Sequence, residues 1–75
     1  MADYEINARR LLCPMPVIRV QEAIEDLNNE DRIIVTCTDM GVMHDIPAWV
    51  RIHGHECISA EEKDGNYIIT VKVQK

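Results

Sequence analysis

Tyr4, Ile6 and Ala8 alternate with polar residues at the start of the chain, and this period of two predicts a first strand. From Pro14 to about Asn28 the period lengthens. Val17, Val20, Ile24 and Leu27 fall on one helical stripe, and Asn28-Asn29 supplies a stop. Arg32 to Thr38 is apolar and β-branched, which predicts a second strand. Ile33, Val35 and Cys37 share one of its faces, and Ile34, Thr36 and Thr38 the other. A second helix is expected over roughly Val42 to His53, with Val42, Ile46, Trp49, Val50 and His53 inward and Gly54 as its stop. His55 to Glu62 reads as a third strand. Asp64-Gly65 is a two-residue hairpin signal, and Asn66 to Gln74 follows as a fourth strand with Tyr67, Ile69, Val71 and Val73 inward.

The predicted order is therefore βαβαββ. A strand-helix-strand unit makes its strands parallel, with a right-handed crossover, and the terminal hairpin is antiparallel. Alternating strands need cover on one face only. The expected fold is an α/β (α+β) two-layer sandwich, a four-stranded mixed sheet with two helices on one face. The open face would carry Ile34, Thr36, Ile68 and Thr70, a mildly apolar surface suited to a partner.

The chain has 75 residues, which predicts a single domain over 1–75 with one modest core and little room for a deep pocket. That size favours a protein that carries, binds or docks. Apolar residues at 47% and charged residues at 28% fit a globular domain rather than a disordered one. No apolar run is long enough to span a bilayer, so no membrane role is expected. The first residues, Met1-Ala2-Asp3-Tyr4-Glu5, are acidic and lack the features of a signal peptide, so a cytoplasmic location is expected. A net charge of −5 argues against direct nucleic acid binding.

Cys13, Cys37 and Cys57 are three cysteines in a chain with no export signal, which is not a disulfide framework. Their spacing is not that of a structural zinc site, and no metal is expected. Cys37 is expected to be a small buried hydrophobe on the inner face of its strand. The same is expected of Cys57 on the third strand.

Cys13 differs. Cys13-Pro14-Met15-Pro16 stands where the first strand gives way to the first helix. Prolines are tolerated in a helix's first turn, so Pro14 and Pro16 mark the start and place Cys13 at the N-cap. There the positive end of the helix dipole favours a thiolate, and a persulfide anion equally. From Arg9 to Arg19 there are three arginines, Arg9, Arg10 and Arg19, and no acids. From Glu22 to Asp31 there are five acids and no bases. This polarity is unfavourable for the helix itself, so it does not serve helix stability.

A second stretch, Asp39 to Pro47, follows the second strand as Cys13 follows the first. With the two strands parallel, both junctions lie at one edge of the sheet, where α/β proteins place their sites. Asp39 is expected to cap the second helix. Pro47 either starts that helix or kinks it. Asp45 and His44 read either as a solvated cap and surface side chain or as groups shaping the ground around Cys13. His53 is expected to be partly buried and hydrogen-bonded, and His55 exposed.

Leu11-Leu12-Cys13-Pro14-Met15-Pro16, followed about thirty residues on by Asp45-Ile46-Pro47, resembles the TusA/SirA-like sulfur carriers, and the element order and length match over the whole chain. The resemblance implies a two-layer sandwich in which Cys13 accepts sulfane sulfur. Pro14 and Pro16 would be its framework, and Asp45 and Pro47 residues of the second motif. It also implies donors that are cysteine desulfurases or rhodanese-like proteins. Acceptors would be DsrE-like proteins or thiolation enzymes, serving tRNA thiolation, molybdenum cofactor synthesis or sulfur oxidation. The chain departs from the family in places. Arg10 stands where glycine is usual, and Leu12 where arginine or lysine often precedes the cysteine. Val42 and Met43 stand where threonine is common, and His44 where arginine is frequent.

The expected chemistry is transpersulfidation at Cys13, with no cofactor beyond the covalent persulfide. Arg9, Arg10, Arg19 and His44 are candidates for anion stabilisation or docking. The other reading is a thiol-based redox or regulatory interaction module.

Overall fold

The computed structural model describes residues 3–12 and 15–75. Six elements follow in the expected order: β1 (Asp3–Ala8), α1 (Met15–Glu25), β2 (Arg32–Cys37), α2 (Val42–Ile52), β3 (Glu56–Lys63) and β4 (Asn66–Lys72). They form one four-stranded sheet in the order β1-β2-β4-β3. β1 runs parallel to β2 from Asp3↔Arg32 to Ala8↔Cys37. β4 lies between β2 and β3 and is antiparallel to both. α1 packs on β1 and β2, α2 packs on β3 and β4, and the helices touch each other, so both layers of the sandwich are present.

The period-two positions decide what is buried. Ile33, Val35 and Cys37 of β2 and Ile69 and Val71 of β4 are fully buried beneath Val20 of α1 and Val42, Ile46 and Val50 of α2. Ile34, Thr36, Ile68 and Thr70 on the other face are half-buried. At Asp64-Gly65 both residues have positive φ, 52° and 81°, the backbone required by a tight hairpin turn.

Four local expectations are corrected. α1 ends at Glu25 rather than near Asn28. Its last turn carries no base, and the chain beyond it tightens into Asp26 N–H to Ala23 O and Leu27 N–H to Ile24 O bonds. Acidic residues at a helix C-terminus face the negative end of the dipole, which explains the early stop. The N-cap of α2 is Gly41 and not Asp39. The Asp39 carboxylate acts just upstream, accepting the Gly41 N–H at 3.0 Å. His53 is exposed and His55 half-buried, the reverse of the expected burial, although His53 is hydrogen-bonded as expected, with Nδ1 3.0 Å from Trp49 O. α2 ends at Ile52, so His53 leaves the helical stripe, while His55 turns back and accepts the Gln74 N–H on Nδ1 at 3.0 Å. Cys57 is half-buried at the rim of the core rather than inside it, because the β3–β4 register slips between Cys57 and Ser59 on an edge strand.

Candidate functional site

The parallel pairing of β1 and β2 ends both strands at the same level, Ala8 opposite Cys37. The loops that follow therefore leave from one edge of the sheet, as the sequence predicts. They are tied together there: the Arg10 N–H donates to Thr38 Oγ1 at 2.9 Å. The first loop turns on itself through Arg9 N–H to Asn7 Oδ1 at 3.1 Å and Leu11 N–H to Ala8 O at 3.3 Å. Arg10 takes φ of +67° at this turn. Leu11 packs against the core, whereas Leu12 stands 74% exposed. The Met15 N–H donates to Leu12 O at 2.8 Å as α1 begins.

Cys13 and Pro14 lie outside the described residues. Next to them in sequence, Pro16 is fully buried in the first turn of α1. Arg9 and Arg10 are exposed on the loop, and Arg19 is exposed on α1.

The second junction is built around Gly41. Val42 N–H to Asp39 O and Met43 N–H to Met40 O bonds wind the chain into α2. A side chain at Gly41 would meet the Asp39 carboxylate at 3.5 Å and the Asp45 carboxylate at 3.7 Å, so both acids stand beside the positive end of this helix. Pro47 lies inside the helix rather than at its start, buried in the second turn. The sequence left this choice open. Pro47 has no N–H to offer the carbonyl of Met43, and it packs inward instead. His44 is exposed in the first turn.

Between α2 and β3 lies an open groove of about 370 Å³, lined by residues that include His44, Pro47, Arg51, Cys57 and Ile58. The chain thus holds a larger concavity than its length suggests, although an open one. Its thiol is not activated: burial raises the pKa of Cys57, and Arg51 only partly offsets this. Cys37 is pushed up to about 11 by burial, with the nearby Asp39 charge adding to it. Among the described residues no group of three His, Cys, Asp or Glu side chains could hold a metal ion. His53 and His55 instead stack on Trp49, with centroids 4.1 and 6.2 Å away.

Two features of this edge escape a reading by residue type. Thr38 acts through its hydroxyl across 28 positions, a contact that only the pairing register could reveal. Met40 is 71% exposed although apolar, and its place just before Gly41 was the available signal that it belongs to a loop.

The model of the family described as Sulfurtransferase TusA matches residues 4–73. The chain belongs to this family. A Bacillus subtilis relative, YrkI, which carries a provisional sulfur-carrier name, is 32% identical over 99% of this chain and 96% of its own. The sulfur carrier protein TusA of Allochromatium vinosum is 28% identical over 96% of this chain and 97% of its own. The crystal structure of a SirA-like protein from Desulfitobacterium hafniense superposes with a TM-score of 0.83 over the full length of both chains, at 22% identity, and shows the shared fold. Membership in the TusA family gives the chain a sulfur-carrier role exercised with partner proteins. No helix among the described residues is long and apolar enough to cross a membrane.

Proposed function

We propose that Cys13 is the sulfur-bearing residue and that the chain relays sulfane sulfur in the cytoplasm, from a cysteine desulfurase or rhodanese-like donor to a DsrE-like or thiolation-enzyme acceptor. The observation that carries this reading is the family match over residues 4–73, with Cys13-Pro14 in the sequence just before α1 and Met15-Pro16 opening that helix. The remaining cysteines support it by their chemistry. Cys37 is fully buried and Cys57 half-buried, and both are held as thiols, whereas the attacking species in sulfur transfer is a thiolate.

In the transfer step the Cys13 thiolate attacks the outer sulfur of the donor's Cys-S-SH. One S–S bond forms at Cys13 as the donor's S–S bond breaks, and the donor leaves as a thiolate. No net oxidation occurs, and the hydrogen stays on the transferred sulfur. The acceptor repeats the exchange on the Cys13 persulfide. Rates follow thiolate fraction, leaving-group acidity and access, so the carrier needs neither a metal nor a second catalytic cysteine. Asp45 and Pro47 shape the neighbouring junction, and Arg9, Arg10, Arg19 and His44 are exposed cationic or titratable groups available to a persulfide anion or a partner.

Intact-mass spectrometry tests this after incubation with a cysteine desulfurase plus L-cysteine, or a rhodanese plus thiosulfate, with Cys13→Ser alongside. Gain of one sulfur atom on the wild type alone, reversed by a mild thiol reductant, is the expected result. The reversal separates it from sulfinic acid, which has nearly the same added mass but survives the reductant. Sulfur retained by Cys13→Ser would assign the chemistry to another cysteine.

A further inference from the structure

The α2–β3 groove takes no part in transfer at Cys13, and its lining has a composition of its own. It holds about 370 Å³ and opens to solvent. It exists because the residues across its middle are short: Ala48 lines it from α2, and Ser59 and Ala60 line it from β3. His44, Pro47, Ala48 and Arg51 follow the i, i+3, i+4, i+7 spacing of one helical stripe, so together they form the α2 wall. His44 and Arg51 therefore stand at opposite ends of that wall, about 10 Å apart along the helix axis. Ile58, 45% exposed, adds an apolar side chain from β3.

The charge in the groove is one-sided. Among the described residues that line it, Arg51 is the one formally charged side chain and none is an acid, in a chain whose net charge is −5. The neighbouring acids belong to other surfaces. Glu56 and Glu61 pair with Lys72 and Ile68, on the face of the sheet turned away from the helices. Glu62 is the next inward position of β3 after Ala60 and lies beyond the lining, and Asp45 stands beside Gly41 at the start of α2. The ion pair recorded among the described residues joins Arg32 to Asp3 and does not involve Arg51. The Arg51 charge is instead felt at the Cys57 thiol in the groove, where it opposes the effect of burial. Strand addition by a peptide is disfavoured here. β3 is an edge strand, but its register slips between Cys57 and Ser59, within the groove, and this interrupts the row of backbone groups an added strand would pair with.

We propose that the α2–β3 groove binds a small organic anion, with its carboxylate or sulfonate on the Arg51 guanidinium and its apolar body against Pro47, Ala48 and Ile58. Binding is non-covalent and makes no use of Cys13, so it goes beyond the sulfur-carrier reading and does not rest on it. The volume is at the lower end of small-molecule sites, which begin near ~300 Å³. Because the groove is open, a short-chain probe is expected to bind with a dissociation constant on the order of 1 mM.

Cys57 reports occupancy, because it lines the groove and is half-buried there. The probes are hexanoate and hexanesulfonate at constant ionic strength, with hexanamide, acetate and hexylamine as controls. Iodoacetamide labelling of Cys57 in the full chain, mapped by peptide mass, is followed against probe concentration, together with the amide NMR shifts of α2 and β3. Both anions are expected to slow labelling saturably and to shift amides of both elements. Hexanamide, which lacks the charge, and acetate, which lacks the body, are expected to bind about tenfold more weakly, and hexylamine not to bind. Arg51→Gln should weaken hexanoate about tenfold and leave hexanamide unchanged, whereas Arg51→Lys, which keeps the charge, should retain most of the affinity. Ala48→Leu fills the hollow and should weaken hexanoate and hexanamide alike. Equal protection by hexanoate and hexanamide would overturn the proposal, as would hexanoate binding that Arg51→Gln does not change. Failure of both anions to protect Cys57, or shifts centred on another surface, would also overturn it. Labelling of Cys57 that slows as protein concentration rises, with no probe present, would give the groove to a second copy of this chain instead.

Discussion

The Arg10 amide donates a 2.9 Å hydrogen bond to the Thr38 hydroxyl, joining the β1–α1 loop to the β2–α2 loop at the edge where the parallel strands end. The bond is made by a residue held at φ +67°, a region that costs a non-glycine residue about 1 kcal/mol. Arg10 thus holds a backbone geometry that glycine would adopt freely. Arg10→Gly is therefore expected to stabilise the fold by up to ~1 kcal/mol, the gain being reduced by glycine's larger freedom when unfolded. Arg10→Val, β-branched in the same position, is expected to destabilise. Thr38→Val removes the acceptor and should cost about 0.5–1 kcal/mol, since the site is exposed and water can replace part of the bond. Urea unfolding of the three variants reads all of these. An Arg10→Gly variant less stable than wild type would show that the arginine side chain does more than tolerate the turn.

Most of the sandwich was legible because each segment kept one period. Ile33, Val35 and Cys37 alternate and are fully buried, and Val20 and Ile24 hold the helical stripe of α1 and are buried beneath it. Asp64-Gly65 gave the hairpin by backbone chemistry alone. Pattern reading failed where a contact distant in sequence decided the outcome. His55 was drawn in by the Gln74 amide, 19 positions away, and His53 was left out by a helix that stopped one residue earlier. At the site, spacing located the two junctions and Pro16, because helix starts constrain residue type. The role of Thr38 depended on which strand paired with which, and no local pattern encodes that.

Gly65 gives a clean measure of the turn. Its φ is +81°, and a Cβ built there meets no atom within 4 Å, so replacement cannot clash. Gly65→Ala is expected to lose about 1–2 kcal/mol from backbone conformation alone. Gly65→Asn should lose less, because asparagine tolerates the left-handed region. Equal losses in thermal melts of the two variants would point to a different cause.

His55 makes stability depend on pH. Its pKa is lowered, first by burial, then by His53 and Lys75, and its Nδ1 must stay unprotonated to accept the Gln74 N–H. The unfolded chain thus binds the proton more readily than the folded one. The contribution is fully present above the ordinary histidine pKa of about 6.5 and is lost as pH falls through the lower folded value. Wild type should lose stability relative to His55→Asn between pH 7.5 and 5, since an amide oxygen can keep the acceptor role without titrating. Trp49 is the only tryptophan and stacks on both His53 and His55, so its fluorescence should report the same transition. A parallel pH profile for the two proteins would assign the acid sensitivity elsewhere.

The three cysteines should differ in reactivity in a fixed order. Cys37 is fully buried with its pKa pushed up to about 11, so at pH 7.5 little thiolate forms and no reagent reaches it. Cys57 lines the open α2–β3 groove and is reachable, but burial still raises its pKa and slows it relative to an ordinary thiol. Under the proposed function Cys13 should react first, because a carrier must expose a thiolate to its donor. Iodoacetamide labelling of native protein, quenched over time and mapped by peptide mass, is expected to show Cys13 fast, Cys57 slow and Cys37 unmodified until denaturant is added. Cys13→Ser should abolish the fast phase and leave the other two unchanged. A fast phase that survives this substitution and maps to Cys57 would move the reactive centre into the groove. Labelling of Cys37 in native protein at a rate that tracks urea concentration would measure opening of the core between β2 and the helices, and not its chemistry.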